Sequence, residues 1–298
     1  MSGGSGFVGS ALTKLLRESG HNVSHLVRAA APVKPPDVFW DPRAASIDAA
    51  SMEGLDAVVH LSGASIAEHR WTPARKAELR SSRVDTTRVL VDTILNLRQR
   101  PRAFVCASAI GYYGDRGDET LTESSPCGTD FLALLARDWE AEAERAAHAG
   151  IRTAQLRFGV IFDAHGGALP KMLAPIRLGV GGRLGSGRQW MSWITLEDAA
   201  DVARNAIMDD RYSGPINVVG PNPVRNSEFT RIAAHILHRP AIFPAPKLAL
   251  RLALGEMAQP LLLASTHVKP ERLLQMGYAF RSDNLEPALQ KIIVKNHI

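Results

Sequence analysis

Cysteine is nearly absent from the chain. Cys106 and Cys127 are the only two in 298 residues, too few for a disulfide framework or a cysteine-based metal site. The ten histidines show neither HExxH nor His-x-His spacing, so zinc hydrolysis is not indicated and no metal is expected. No apolar run approaches the roughly 18 residues that span a bilayer, and no membrane partner is expected. No block of five like charges exists, which argues against a nucleic-acid-binding arm. The opening Met1-Ser2-Gly3-Gly4-Ser5-Gly6 carries no basic-then-hydrophobic leader, and a reducing, cytoplasmic location is the default expectation.

What is present is ordinary for a globular protein: 45% hydrophobic and 22% charged residues. The length suggests about two domains and can bury a core without staples. The net charge of +5 is mild and would suit a small polyanionic ligand.

Short β-branched runs alternate with helical patterns in the first half. Residues 10–19 set Leu12, Leu15 and Leu16 on one helical face and stop at Gly20. Residues 23–28 and 56–62 read as strands, Ala74–Leu97 as one long helix, 103–108 as a strand, 130–147 as a helix and 151–157 as a strand. That rhythm implies an α/β fold, a doubly wound parallel sheet with helices on both faces. Further on come a glycine-rich stretch, 179–188, and a helix over 196–208. Proline clusters place a boundary near 221–226, giving a nucleotide-binding domain over 1–220 and a small C-terminal lobe over 221–298. The lobe contains one amphipathic stretch, 247–263.

Glycines at 3, 6 and 9 open directly into the first helix. Such a turn needs residues without Cβ, and the helix N-terminus offers free N–H groups to a pyrophosphate. Gly3, Ser5, Gly6, Phe7, Val8 and Gly9 are therefore candidate cofactor contacts. A dinucleotide loop should follow a strand, yet only Met1 and Ser2 precede Gly3. The first strand looks truncated, and poor stability is expected unless another segment fills the gap. An NAD-specific fold places an acid about 20 residues beyond the loop. Here Val27 and Arg28 stand there, with no acid between Glu18 and Asp37. A guanidinium in that position can pair with a 2′-phosphate, so NADP is the expected cofactor.

Several longer segments point to a known group. They are SGGSGFVG (2–9), HLSGASI (60–66), RWTPARKAELRSSRVDTT (70–87), ASAIGYYGDRGDETLTESSPCGTDF (107–131), LRFGVIF (156–162) and GGRLGSGRQWMSWITLEDAADV (181–202). Toward the C-terminus come GEMAQPLLLAS (255–265) and RLLQMGYAFR (272–281). Together they resemble the atypical extended short-chain dehydrogenase/reductases, epimerase-family proteins with a C-terminal domain of unknown function. The resemblance implies a Rossmann-type NADP-binding domain with the lobe on its substrate side. It adds Leu61, Ser62, Gly63, Glu78, Arg83 and Ile161 to the nucleotide contacts. His60 and Ala64 depart from the Asn and Glu that many relatives carry.

The catalytic pattern is incomplete. Short-chain reductases use a Tyr made acidic by a Lys four residues later, and no Tyr here has a Lys at that spacing. Phe131 and Leu135 stand at the corresponding places. Ser108, at the carboxyl end of a strand where ligands bind in this architecture, is the candidate to orient a carbonyl. Tyr112 and Tyr113 just beyond are candidate proton donors, or else pack the loop against the sheet. Lys76 and Arg80 could face phosphates or solvent, Lys171 could reach the site or lie on the surface, and Trp190 and Trp193 could wall a pocket or fill the core. Two functions follow. One is an NADP-dependent oxidoreductase or epimerase acting on a small carbonyl or sugar-like substrate. The other is an NADPH-binding, redox-sensing regulator without turnover. A homodimer is left open.

Overall fold

The computed structural model describes residues 1–28 and 33–295. Helix α1 (Phe7–Glu18) leaves the glycine loop, followed by strands β1 (Leu26–Val27), β2 (Val38–Asp41), β3 (Ser46–Ile47) and β4 (Ala57–His60). Next come α2 (Pro73–Arg80), a π-helical turn over Ser81–Asp85, α3 (Thr86–Asn96), β5 (Ala103–Ala109), β6 (Thr120–Leu121) and α4 (Phe131–His148). The chain continues through β7 (Arg152–Phe158), β8 (Val160–Phe162), α5 (Leu169–Arg177), β9 (Trp190–Met191), β10 (Trp193–Thr195), α6 (Leu196–Met208) and β11 (Gly214–Val218). It ends with β12 (Val224–Arg225), α7 (Asn226–Ile236), α8 (Lys247–Leu254), β13 (His267–Val268), α9 (Glu271–Gln275) and α10 (Leu285–Lys295).

The central sheet runs β11-β7-β5-β4 on one side and β1-β2 on the other, all parallel, with β3 antiparallel on β2. Met1 and Ser2 hold the place between the two halves. Ser2 bridges Leu26 on one flank and His60 on the other, its N–H donating to the Val59 carbonyl at 2.9 Å. Strand β5 is buried almost throughout, as a strand covered on both faces should be. Its alternation sends Phe104 and Cys106 to the core beneath α3 and α4, and Val105 to the core beneath α1 and α6. This is the expected doubly wound arrangement. Each fully buried Leu, Val or Phe in these layers contributes about 1.5–3 kcal/mol.

Two expected elements differ in detail. The strand expected over 23–28 narrows to Leu26–Val27, and the helix expected over 74–97 is broken by the π turn. Hydroxyls explain the break. Ser82 Oγ donates to the Leu79 carbonyl, Thr86 Oγ1 to that of Ser82 and Thr87 Oγ1 to that of Arg83, competing with the helical ladder.

A third core joins Phe162, Leu173 and Trp193 to Phe229, Ile232, Leu285 and Leu289. The lobe is thus built from both sides of residue 221, with α5 and β10 packed among α7 and α10. No described helix is long and apolar enough to cross a membrane.

Candidate active site

The glycine spacing has a direct steric cause. Gly3 adopts φ of +68°, and a Cβ there would lie 2.8 Å from the Leu61 carbonyl carbon. A Cβ on Gly9 would lie 2.1 Å from the Gly3 oxygen. Gly6 N–H closes the turn on that same oxygen at 2.9 Å. Helix α1 begins with no side-chain cap and no acid in its first turn, so its leading N–H groups and dipole face outward uncompensated. Ser5 and Gly6 are exposed, while Phe7 and Val8 are half-buried. The Phe7 ring lies against the backbone of Gly166 and Gly167, where a Cβ would stand 2.6 and 2.8 Å from it. Gly167 also abuts the Ile161 carbonyl, which brings Ile161 to the edge of the same loop.

Leu61, Ser62 and Gly63 follow β4; the first two border Gly3, and Gly63 lies against the Arg83 side chain. Arg83, from the π turn, reaches this segment and donates to the Ala64 carbonyl at 2.9 Å. Burial, with Arg75 nearby, pushes its guanidinium down to about 10. Val27 and Arg28 close β1. Arg28 is exposed and has no hydrogen-bond or ion-pair partner among the described residues. Glu78 is exposed and pairs at 2.6 Å with Arg75, which itself donates to the Ser65 carbonyl. An uncapped helix start, a cradle that any Cβ would fill and a free guanidinium at the end of β1 fit a dinucleotide carrying a 2′-phosphate.

Beside this loop, one rung of the sheet is polar across three strands. Ser108 of β5 is in register with Arg157 of β7, and Arg157 with Asn217 of β11. Ser108 Oγ donates to Glu140 Oε1 at 2.6 Å. Glu140, on α4, also accepts from Arg157 Nε at 2.8 Å and Nη2 at 2.7 Å. Arg157 Nη1 donates to the Tyr113 hydroxyl at 2.9 Å, which donates in turn to Asn217 Oδ1 at 2.7 Å. Burial opposes the Arg157 charge, but the Glu140 hydrogen bonds outweigh it and hold the guanidinium above its ordinary value.

This network decides what each hydroxyl can do. Tyr113 is fully buried with its phenol engaged on both sides; burial raises it to about 12. Its place is that of a packed structural residue. Tyr112 is half-buried, with the Arg157 guanidinium 3.6 Å from its ring centroid. Burial raises its phenol too, against the pull of Arg157, so it remains protonated near neutral pH. Ser108 gives its hydrogen to Glu140 and keeps its lone pairs for any donor that approaches.

The other sequence candidates lie elsewhere. Lys76 pairs with Glu256 and Arg80 with Asp138, while Lys171 is exposed. Trp193 is fully buried and stacks on Phe162, and Trp190 stacks on His267 at 4.3 Å with its indole N–H on Asp118. Phe131 packs edge-on against Trp71. Sequence reasoning missed Glu140, Arg157 and Asn217. The local signal was in β7, where Arg157 stands between Leu156 and Phe158.

Comparison with known proteins agrees with this layout. The model of the NAD dependent epimerase/dehydratase family matches residues 1–237, and that of a domain of unknown function, DUF1731, matches residues 245–292. The epimerase family protein YfhF of Bacillus subtilis is 38% identical over 98% of this chain and 97% of its own length. The human epimerase family protein SDR39U1 is 35% identical over 98% of each. A crystal structure of that human protein with NADPH superposes with a TM-score of 0.89, at 34% identity over 98% of this chain and 97% of that one. A nucleoside-diphosphate sugar epimerase from Corynebacterium glutamicum gives 0.81 at 36% identity, over 98% of this chain and 57% of that one. With its phosphate loop, its doubly wound sheet and relatives of this similarity along nearly its whole length, the chain belongs to the NAD-dependent epimerase/dehydratase family.

Proposed function

We propose that the chain is an NADP-dependent oxidoreductase or epimerase acting on a small carbonyl- or sugar-like substrate. The observation that carries this is the uncapped start of α1 behind Gly3, Gly6 and Gly9, with Arg28, unpaired among the described residues, at the end of the neighbouring strand. In this reading the α1 amides hold the diphosphate and Arg28 holds the 2′-phosphate. Leu61, Ser62 and Gly63 border the cofactor, with Arg83 bracing that segment. The human relative crystallised with NADPH supports the same cofactor. A bound nicotinamide supplies a hydride acceptor or donor. The chain's own part is to bind, orient and move a proton. Ser108, its hydrogen committed to Glu140, accepts a hydrogen bond from the substrate or the cofactor amide. Tyr112, protonated and beside Arg157, is the remaining proton donor.

A second reading, a redox-sensing NADPH binder without turnover, draws on a specific observation. Tyr113 is locked between Arg157 and Asn217, and no Tyr–Lys relay replaces it. Stopped-flow absorbance of bound NADPH across a panel of aldehydes, ketones and keto-sugars separates the two. Oxidation with at least one compound, slowed in Tyr112→Phe at unchanged NADPH affinity, supports the enzyme. No oxidation with any of them supports the regulator.

A further inference from the structure

Acidic residues are distributed unevenly along the chain. None occurs between Asp163 and Glu197, or between Glu228 and Glu256. The first of these segments carries Lys171, Arg177, Arg183 and Arg188; the second carries Arg231, Arg239, Lys247 and Arg251. These eight cations exceed the net charge of +5, so the rest of the chain is net negative. None of the eight forms an ion pair among the described residues; the Arg177 guanidinium is largely buried and the other seven side chains are exposed. Glu256, the first acid beyond the second segment, is already paired with Lys76.

The two segments lie side by side. Phe243 N–H donates to the Gly181 carbonyl at 3.2 Å, Ala245 N–H to Arg183 at 2.9 Å, and Gly185 N–H to Ala245 at 2.8 Å. Arg239 Nε reaches the Arg177 carbonyl at 3.2 Å. Their shared face is also apolar. Leu178, Val180, Ile242, Phe243, Leu248 and Leu252 are 57–78% exposed, and α8 buries none of its residues. A groove of about 400 Å³ lies where Arg183 and Ile242 meet α7, lined also by Ser227, Thr230, Arg231 and Pro244.

Exposed apolar surface on this scale marks a contact site, and its charge selects the partner. A second copy docked through the same face would set its cations, Arg183 and Arg231 among them, against their own equivalents. A nucleic-acid interface would be polar and positive, without a row of exposed aliphatic side chains. Exposed aliphatic and aromatic side chains beside unpaired Lys and Arg, in two segments that hold no acid, are what an anionic lipid interface takes. We propose that this lobe face docks peripherally on anionic phospholipid, the groove receiving a headgroup phosphate while Ile242, Phe243, Leu248 and Leu252 enter the interfacial zone. This is a surface contact, not a span, and it departs from the expectation of no membrane partner. It is independent of the dinucleotide site.

Co-sedimentation of the full chain with vesicles tests it, using phosphatidylcholine alone and an equal mixture with phosphatidylglycerol. Binding is expected only to the mixture, and to fall with added salt. Arg183→Gln and Arg231→Gln should each weaken it about fivefold. Leu248→Asp with Leu252→Asp should abolish it, with melting temperature and NADPH affinity unchanged because these side chains are exposed. Absence of binding to the mixture, equal binding to neutral vesicles, or a dimer that Leu248→Asp dissociates would each overturn the proposal.

Discussion

At the residue scale, the phosphate loop is the part most legible in the sequence. Its chemistry lies in one short stretch, and the sterics that demand glycine act between neighbours. Gly9 is the most constrained position, because a Cβ would sit 2.1 Å from the Gly3 oxygen. Gly9→Ala is expected to cost about 2 kcal/mol by overpacking and to abolish NADPH binding. Urea unfolding and fluorescence titration check both. His60 was legible only as a departure from the family pattern. It is fully buried, with Nδ1 2.6 Å from Ser2 Oγ and its ring edge-on to Trp40. Burial lowers its pKa to about 3, helped by nearby positive charge including Arg83. A histidine kept neutral in the fold, but free to charge near 6.5 when unfolded, contributes stability above pH 6.5. That contribution is lost as the pH falls toward 3. His60→Asn should flatten the stability profile between pH 6 and 4, as thermal melts in a buffer series will read.

At the element scale, the alternation of strands and helices was readable because each carried its own periodicity. The polar rung was not, since Ser108, Glu140, Arg157 and Asn217 come from four elements and meet only when β5, β7 and β11 align and α4 packs on them. The same rung ties α4 to the sheet. Arg157 is 3% and Glu140 12% exposed, so removing one partner strands a buried charge. Glu140→Ala should therefore destabilise the fold by about 3–5 kcal/mol, whereas Ser108→Ala, which leaves the ion pair intact, should cost about 1 kcal/mol. Equal losses in paired denaturation curves would contradict the view that Arg157–Glu140 anchors α4. The strand expected over 23–28 narrows to the two residues that pair with β2, with Leu26 also bridging Ser2 on the other side.

At the scale of the whole molecule, proline clusters pointed to a boundary near 221, yet the third core packs Phe162 and Trp193 against Phe229 and Leu289 across it. Sequence punctuation marks where the chain turns, not which side chains share a core. Buried aromatic surface therefore joins the chain on either side of residue 221 within the lobe. Arg70 adds bonds to the carbonyls of Leu252 and Ala253, and Gln259 a bond to Asp115. In the proposed function, the substrate side is built from the lobe and the carboxyl edge of the sheet together, with the dinucleotide loop as the fixed end of the site.

Calorimetric titration of the folded chain with NADPH and NADH, beside Arg28→Glu, tests that fixed end most directly. The structure predicts tighter binding of NADPH than NADH, a preference that Arg28→Glu removes by weakening NADPH alone. Heat from neither dinucleotide, or equal losses for both in the variant, would contradict it.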